Sequence, residues 1–333
     1  MWKRFSSVVV IILLFSFNHV CSANTGINLC ESTTDPKGFL KFYDSIKKRD
    51  NRNLQKPSIK IRTNKILSDI DRRIPKGKQR DICDFAIIIG NENYKFISNV
   101  KYAHNDLRLV KKYIVDAFGI NKNNVIEFKD ATKGNFELLF GTKEDYKGKV
   151  YRWTKENKSR ILLYYVGHGA PDIKTGDSYL VPVDADPHYI KNTGYSTNLL
   201  FANLNKIQYK NIVVIIDSCF SGVTPSGMIM KDISPAMLRV KKNVFNLRNG
   251  LIFTSSKSNQ VSAWHSKKGH SLFTYFFLKG LQGDADNNND NVIDTKEMFL
   301  YLKDNVSFTA RRLDVEQDPQ LFGKENRVLV EFK

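Results

Sequence analysis

The chain has 333 residues, 41% of them hydrophobic and 26% charged, with four cysteines and a formal net charge of +18. That is enough to bury a sizeable core in one large or two modest domains, and it excludes wholesale disorder. The Lys and Arg excess would suit nucleic acid or an anionic surface, but there is no basic motif interleaved with aromatics, so a basic soluble protein without a nucleic-acid partner is expected.

The first residues read as a secretory leader. Trp2-Lys3-Arg4 is a charged start, 8–17 is an apolar core too short to span a bilayer, and Cys21-Ser22-Ala23 supplies small residues for cleavage. Residues 1–23 are therefore expected to be a signal peptide, and the mature protein to be secreted (extracellular or periplasmic) with no stable membrane insertion. The alternatives are lipidation at Cys21, for which Asn18-His19-Val20 is a poor lead-in, and an uncleaved anchor. Residues 24–81 are polar and basic with little periodicity, a linker or pro-segment with cleavable bonds near Lys76, Lys78 and Arg80. Once the leader is gone Cys30, Cys83 and Cys219 remain. Either Cys30 pairs with Cys83 and leaves one thiol over, or all three are free.

From residue 82 the pattern becomes α/β. Strands are expected at 85–90, 125–128, 161–166, 212–216, 251–254 and 327–332, with a short extended piece at 179–182. Helices are expected at 104–118, opened by Asn105 or Asp106, and at 135–140, 146–157, 198–208, 271–281 and 297–311. Alternating strands and helices make a mostly parallel sheet covered on both faces. Between them, 223–249 is long and rich in Gly, Ser, Pro and basic residues, as functional or mobile loops are. Its Lys231, Arg239, Lys241 and Lys242 are candidate self-cleavage sites.

Two of the strands carry the chemistry. Ile161-Leu162-Leu163-Tyr164-Tyr165-Val166 ends in Gly167-His168-Gly169, and Ile212-Val213-Val214-Ile215-Ile216 ends in Asp217-Ser218-Cys219-Phe220-Ser221-Gly222. In open α/β sheets ligands collect at the carboxyl ends of strands. A His beside a Cys generates or stabilises the nucleophilic thiolate and then protonates the leaving amine. His168 and Cys219 are thus a candidate dyad, and the N–H groups of Gly169 and Cys219 a candidate oxyanion hole. His265 and His270 are placed at loop or helix-start positions.

These motifs resemble the caspase fold of cysteine peptidases, in its bacterial caspase-like and metacaspase branch. Further matches follow in order: Ile88-Ile89-Gly90-Asn91-Glu92-Asn93-Tyr94, Ala103-His104-Asn105-Asp106, Tyr179-Leu180-Val181-Pro182-Val183-Asp184, 254–262 and Gly269-His270-Ser271-Leu272-Phe273-Thr274. The resemblance implies a three-layer sandwich over 82–333, with a large-subunit-like part at 82–222 and a small-subunit-like part at 250–333. It implies a cysteine endopeptidase in which Asp217 and Asp106 form an acidic S1 pocket for Arg or Lys at P1, the substrate residue before the cut bond. Three positions depart from the metacaspase pattern: Phe220 follows the nucleophile, Ala103 precedes the Asn-Asp pair, and Ser226 stands where that branch carries a calcium-binding acid. The other readings are an inactive scaffold of the same fold and a related peptidase cutting after Asn or Asp.

A separate signal lies at 286–297. Asp286, Asn288, Asp290, Val292 (through its carbonyl), Asp294 and Glu297 fall at the ligand positions of a twelve-residue Ca2+ loop between helices. Asn291 takes the place of the usual Gly. Ca2+ is expected there in a structural or regulatory role, with none required for the chemistry.

Overall fold

The computed structural model describes residues 68–333 except 173, 225–226, 229–244 and 324–325. The leader, Cys30, Ser226 and most of the 223–249 loop with its candidate cleavage sites lie outside the described residues. Cys83 is disulfide-bonded, but the expected Cys30 partner is outside them too.

The core is a six-stranded sheet. Its strands are β1 (Phe85–Gly90), β2 (Val125–Lys129), β3 (Arg160–Val166), β6 (Asn211–Asp217), β7 (Gly250–Thr254) and β10 (Gln320–Phe322), in the order β10-β7-β6-β3-β1-β2. All neighbours are parallel except β7 and β10. Outside this sheet, β4 (Gly169–Pro171) and β5 (Ser178–Leu180) form a small antiparallel ribbon, and β8 (His270–Ser271) another with Trp264–His265. β9 (Val292–Asp294) pairs with β11 (Val328–Glu331).

β1 and β3 are continuous apolar runs because helices cover both faces, and each buried Ile or Val contributes about 1.5–3 kcal/mol. One layer holds α1 (Ala103–Asp116), α4 (Leu272–Lys279) and α5 (Thr295–Arg311) over Ile88, Leu162 and Tyr164. The other holds α2 (Lys133–Phe140) and α3 (Thr197–Leu204) over Ile87, Leu163 and Val214. This is the mostly parallel α/β sandwich expected.

Several local expectations shift. The sheet is closed by β10, which has no β-branched run, while the predicted closing strand pairs instead with the candidate calcium loop. The helix expected over 146–157 is only Lys149–Trp153. α1 starts at Ala103 and is capped from outside: Glu92 Oε2 accepts the His104 N–H at 2.9 Å. Residues 68–81, on the linker side of the predicted boundary, pack into the domain. Ile70 is fully buried, its carbonyl accepts Tyr113 Oη–H at 2.8 Å, and Gly77 bridges to Phe332.

Candidate active site

Strand register brings His168 and Cys219 together. β3 and β6 are adjacent and parallel, with Val166 opposite Asp217. His168 and Cys219, each two residues further on, therefore emerge side by side at the carboxyl edge of the sheet. Both line one narrow cleft with Asp217, Ser262, Trp264 and Ser271. The cleft is small, about 30 Å3, room for about two water molecules. A larger cavity, about 510 Å3, opens at the opposite end of the sheet beside Arg80, Asp84 and Arg160, and none of the predicted site residues lines it.

His168 is held at three points. Its backbone N–H donates to Tyr94 Oη at 2.8 Å, its ring lies 4.7 Å from the Tyr94 ring, and Nε2 donates to the Ser98 carbonyl at 2.7 Å. A carbonyl can only accept, so the network assigns the proton to Nε2 and leaves Nδ1 as the basic nitrogen. Burial lowers the imidazole pKa to about 4, against a smaller opposing effect of the Ser98 carbonyl, so the ring is neutral at physiological pH.

Cys219 is a free thiol, buried, whose Sγ accepts the Ser262 N–H. Burial raises its pKa to about 11, and the Asp217 charge adds to that effect while Ser262 opposes it. The resting pair is thus neutral thiol and neutral imidazole, and no hydrogen bond joins the two side chains. Ser255 fixes the approach: its Oγ accepts Ser218 N–H at 3.0 Å and contacts Ser262 Oγ at 2.6 Å.

Gly169 sits against the Cys219 segment. A Cβ there would lie 2.6 Å from the Cys219 carbonyl oxygen and 2.6 Å from Ser218 Oγ. Val181 N–H donates to the His168 carbonyl at 3.0 Å, which makes the next pair of the ribbon, Gly169 with Leu180, a non-hydrogen-bonded one. The Gly169 N–H therefore points away from β5.

The two acids expected to form S1 meet at Ser271 but stand differently. Asp217 lines the cleft; its Oδ2 accepts Thr274 Oγ1–H at 2.7 Å and the hydroxyl of Ser271. Burial raises its pKa to about 6, the two hydroxyls oppose this, and the nearby Asp106 charge adds to it. Asp106 is fully buried, and its Oδ1 and Oδ2 accept from His270 Nδ1 (2.6 Å) and Ser271 N–H (3.1 Å). Burial raises its pKa as well. His270 lies at the helix start expected, directly before the Ser271 N-cap of α4, but it is fully buried in β8 with Nε2 3.9 Å from Asp71 Oδ2.

Sequence reasoning missed Tyr94, Ser98, Ser262 and Thr274. The spacing of Ser271 and Thr274 was readable as a helix cap, and Ser271 Oγ does accept the Thr274 N–H at 3.1 Å.

The loop at 286–297 turns on its own side chains. Asp286 accepts the N–H groups of Asp290 and Asn291, Asn288 that of Asp290, and Asp290 that of Val292. Asn291 has φ +63°, the left-handed turn the missing glycine would have made. The oxygen donors suit a hard cation. Glu297 is turned onto the helix start, where its Oε2 accepts the Asp294 N–H at 3.1 Å. Among the described residues no group of three His, Cys, Asp or Glu side chains gathers as a metal site.

The chain belongs to the caspase domain family, whose sequence model matches residues 83–329. Among solved structures it is similar to caspase-1 from Spodoptera frugiperda, at 14% identity and TM-score 0.49, over 78% of this chain and 94% of that one. A Geobacter sulfurreducens protein solved as a structural genomics target is similar at 16% identity and TM-score 0.44, over 72% of this chain and 92% of that one. No curated protein matches in sequence. No helix among the described residues is long and apolar enough to cross a membrane.

Proposed function

We propose that this protein is a cysteine endopeptidase that cuts peptides after a basic residue. The observation that carries the reading is the side-by-side placement of His168 and Cys219 in one cleft, with the His168 Nε2 proton committed to Ser98. Nδ1 takes the Cys219 proton as the sulfur attacks the scissile carbonyl carbon. The oxyanion that forms is received by the N–H groups of Gly169 and Cys219. The imidazolium returns that proton to the leaving amine, and water, activated by the same nitrogen, hydrolyses the thioester.

The low basicity of the buried imidazole and the high pKa of the thiol make transfer costly in the closed cleft. Substrate seating, which displaces the 262–264 segment, is the step that brings the pair into contact. The buried carboxylate of Asp217 supports a cationic P1 side chain, because an ionised acid in an apolar setting gains most from a partner of opposite charge. Export is part of the proposal, and a disulfide at Cys83 suits an oxidising compartment. So is a structural Ca2+ at Asp286, Asn288, Asp290, Val292, Asp294 and Glu297, an ion that would brace the turn between α4 and α5.

The test uses protein 24–333 and its Cys219→Ala variant with peptides differing only at P1 (Arg, Lys, Asp, Asn). Turnover at Arg and Lys that the variant lacks is expected. Turnover only at Asp or Asn would keep the dyad and remove the basic pocket. Folded protein without turnover would favour the inactive scaffold.

A further inference from the structure

The two acidic residues do not offer a substrate the same thing. Asp106 has both oxygens occupied, by His270 Nδ1 and the Ser271 N–H, and it is not among the residues lining the cleft. His270 is itself braced from behind by Asp71, which Arg108 Nη2 holds at 2.7 Å. Asp217 reaches the cleft with one oxygen used and one free. Its Oδ2 accepts the hydroxyls of Ser271 and Thr274, which fill both lone-pair directions. Proton accounting supports this: Thr274 spends its only hydroxyl proton on Asp217, so Tyr164 Oη, 2.7 Å away, must donate to Thr274 Oγ1. The Thr274 N–H also steadies this carboxylate, but its geometric acceptor is Ser271 Oγ at 3.1 Å, so both hydrogen bonds drawn to the Asp217 carboxylate fall on Oδ2.

We infer that Asp217 alone reads the P1 cation, and that Ser271 and Thr274, by saturating one of its oxygens, make the pocket take lysine as readily as arginine. The inference rests on the basic-P1 reading and refines it. The advantage of a guanidinium over an ammonium is its planar fork, which grips both oxygens of one carboxylate. A carboxylate with one open oxygen cannot be gripped that way and presents only a point charge, which an ammonium matches. Asp106 and His270 are positioning residues that hold the Ser271 backbone where its hydroxyl meets Oδ2.

The test is the Arg:Lys ratio of kcat/KM, for the parent and for Thr274→Val, which removes one hydroxyl proton and keeps the shape. The parent ratio is expected within about threefold of one. In Thr274→Val it should move toward Arg by about tenfold, mainly through KM, because one more charge-assisted hydrogen bond becomes available. Ser271→Ala, which also loses a helix cap, should move the ratio the same way even if total activity falls. Asp106→Asn should keep the ratio and the basic preference, whereas Asp217→Asn should lose that preference.

A parent that favours Arg by about 30-fold or more overturns the inference. So does a ratio that neither hydroxyl variant moves, while basic cleavage itself still stands. If only Asp or Asn peptides are cut, the basic pocket and this inference fall together. If no peptide is cut, the rise in Tm that butylguanidinium and butylammonium give the parent, each measured against Asp217→Asn, gives the same comparison. Equal rises that Asp217→Asn lacks support the inference; a rise with the guanidinium alone, or with neither, overturns it.

Discussion

Replacing Gly169 by Ala should separate activity from stability. The added Cβ would sit 2.6 Å from the Cys219 carbonyl oxygen, 2.6 Å from Ser218 Oγ and 2.8 Å from Phe220 Cδ1, where ordinary contact begins at 3.4 Å. The nucleophile loop and β4 must therefore part by about 0.8 Å, the difference between 3.4 and 2.6 Å. Overpacking of this kind costs about 1–3 kcal/mol, or a few degrees to about 10 °C in Tm for a domain this size. The catalytic effect should be larger. In the proposed mechanism the loop carries both the nucleophile and one oxyanion donor while β4 carries the other, and a misplacement near 1 Å lowers rates by about 100-fold. The assay is kcat/KM on a basic-P1 peptide alongside a thermal melt. A variant that melts earlier but keeps kcat/KM within about threefold of the parent would show that the Gly169 seat does not set the geometry of attack.

Other substitutions probe the remaining parts. Cys219→Ala and His168→Ala should each lower kcat by about 1,000-fold or more; Cys219→Ala should change Tm little, whereas His168→Ala, which empties a buried ring site beside Tyr94 and Ser98, should also lower it. Because Asp217 must ionise to hold a cation and its pKa is raised to about 6, kcat/KM for basic peptides should climb as pH rises through about 6, and Asp217→Asn should lack that limb. The same shift lies above the unfolded value of 3.8. Its stabilising effect is therefore complete at acid pH and is lost as pH rises through about 6, which melting curves of parent and Asp217→Asn should show. Tyr94→Phe strips the acceptor from the buried His168 N–H and should cost about 1–3 kcal/mol while lowering kcat more than it raises KM. Millimolar Ca2+ should raise the Tm of the parent and not of Glu297→Gln; no rise in the parent would remove the ion from the proposal.

The parts of the fold readable from sequence were those written in unbroken apolar runs. β3 and β6 show themselves as unbroken apolar runs, β6 of β-branched residues and β3 of Ile, Leu, Tyr and Val, with candidate chemistry at their carboxyl ends, and adjacency of His168 and Cys219 follows once the two strands pair. β10 was hidden because Gln320-Leu321-Phe322 follows a polar, Pro-containing stretch and owes its strand form to pairing with β7. The burial of His270 was hidden for a related reason. Its partner Asp106 lies 164 residues away, and a histidine at a helix start has no local pattern that announces a buried carboxylate. Ser98 contributes a backbone carbonyl, which no side-chain motif records. Asp106 was placed at the pocket by resemblance alone, and that resemblance carries no information about which of its oxygens is already bound.

The high pKa of Cys219 has a protective side. Disulfide exchange and oxidation proceed through the thiolate, and a thiol with pKa about 11 is ionised in about one molecule in 10,000 at pH 7. Cys83 is paired while Cys219 is free. In surroundings oxidising enough for the first, the second keeps its sulfur in reserve behind Ser262 and Trp264. Its reactivity would be created by the arriving peptide and would end when the product leaves, so an idle molecule is shielded from the redox damage that a standing thiolate would invite.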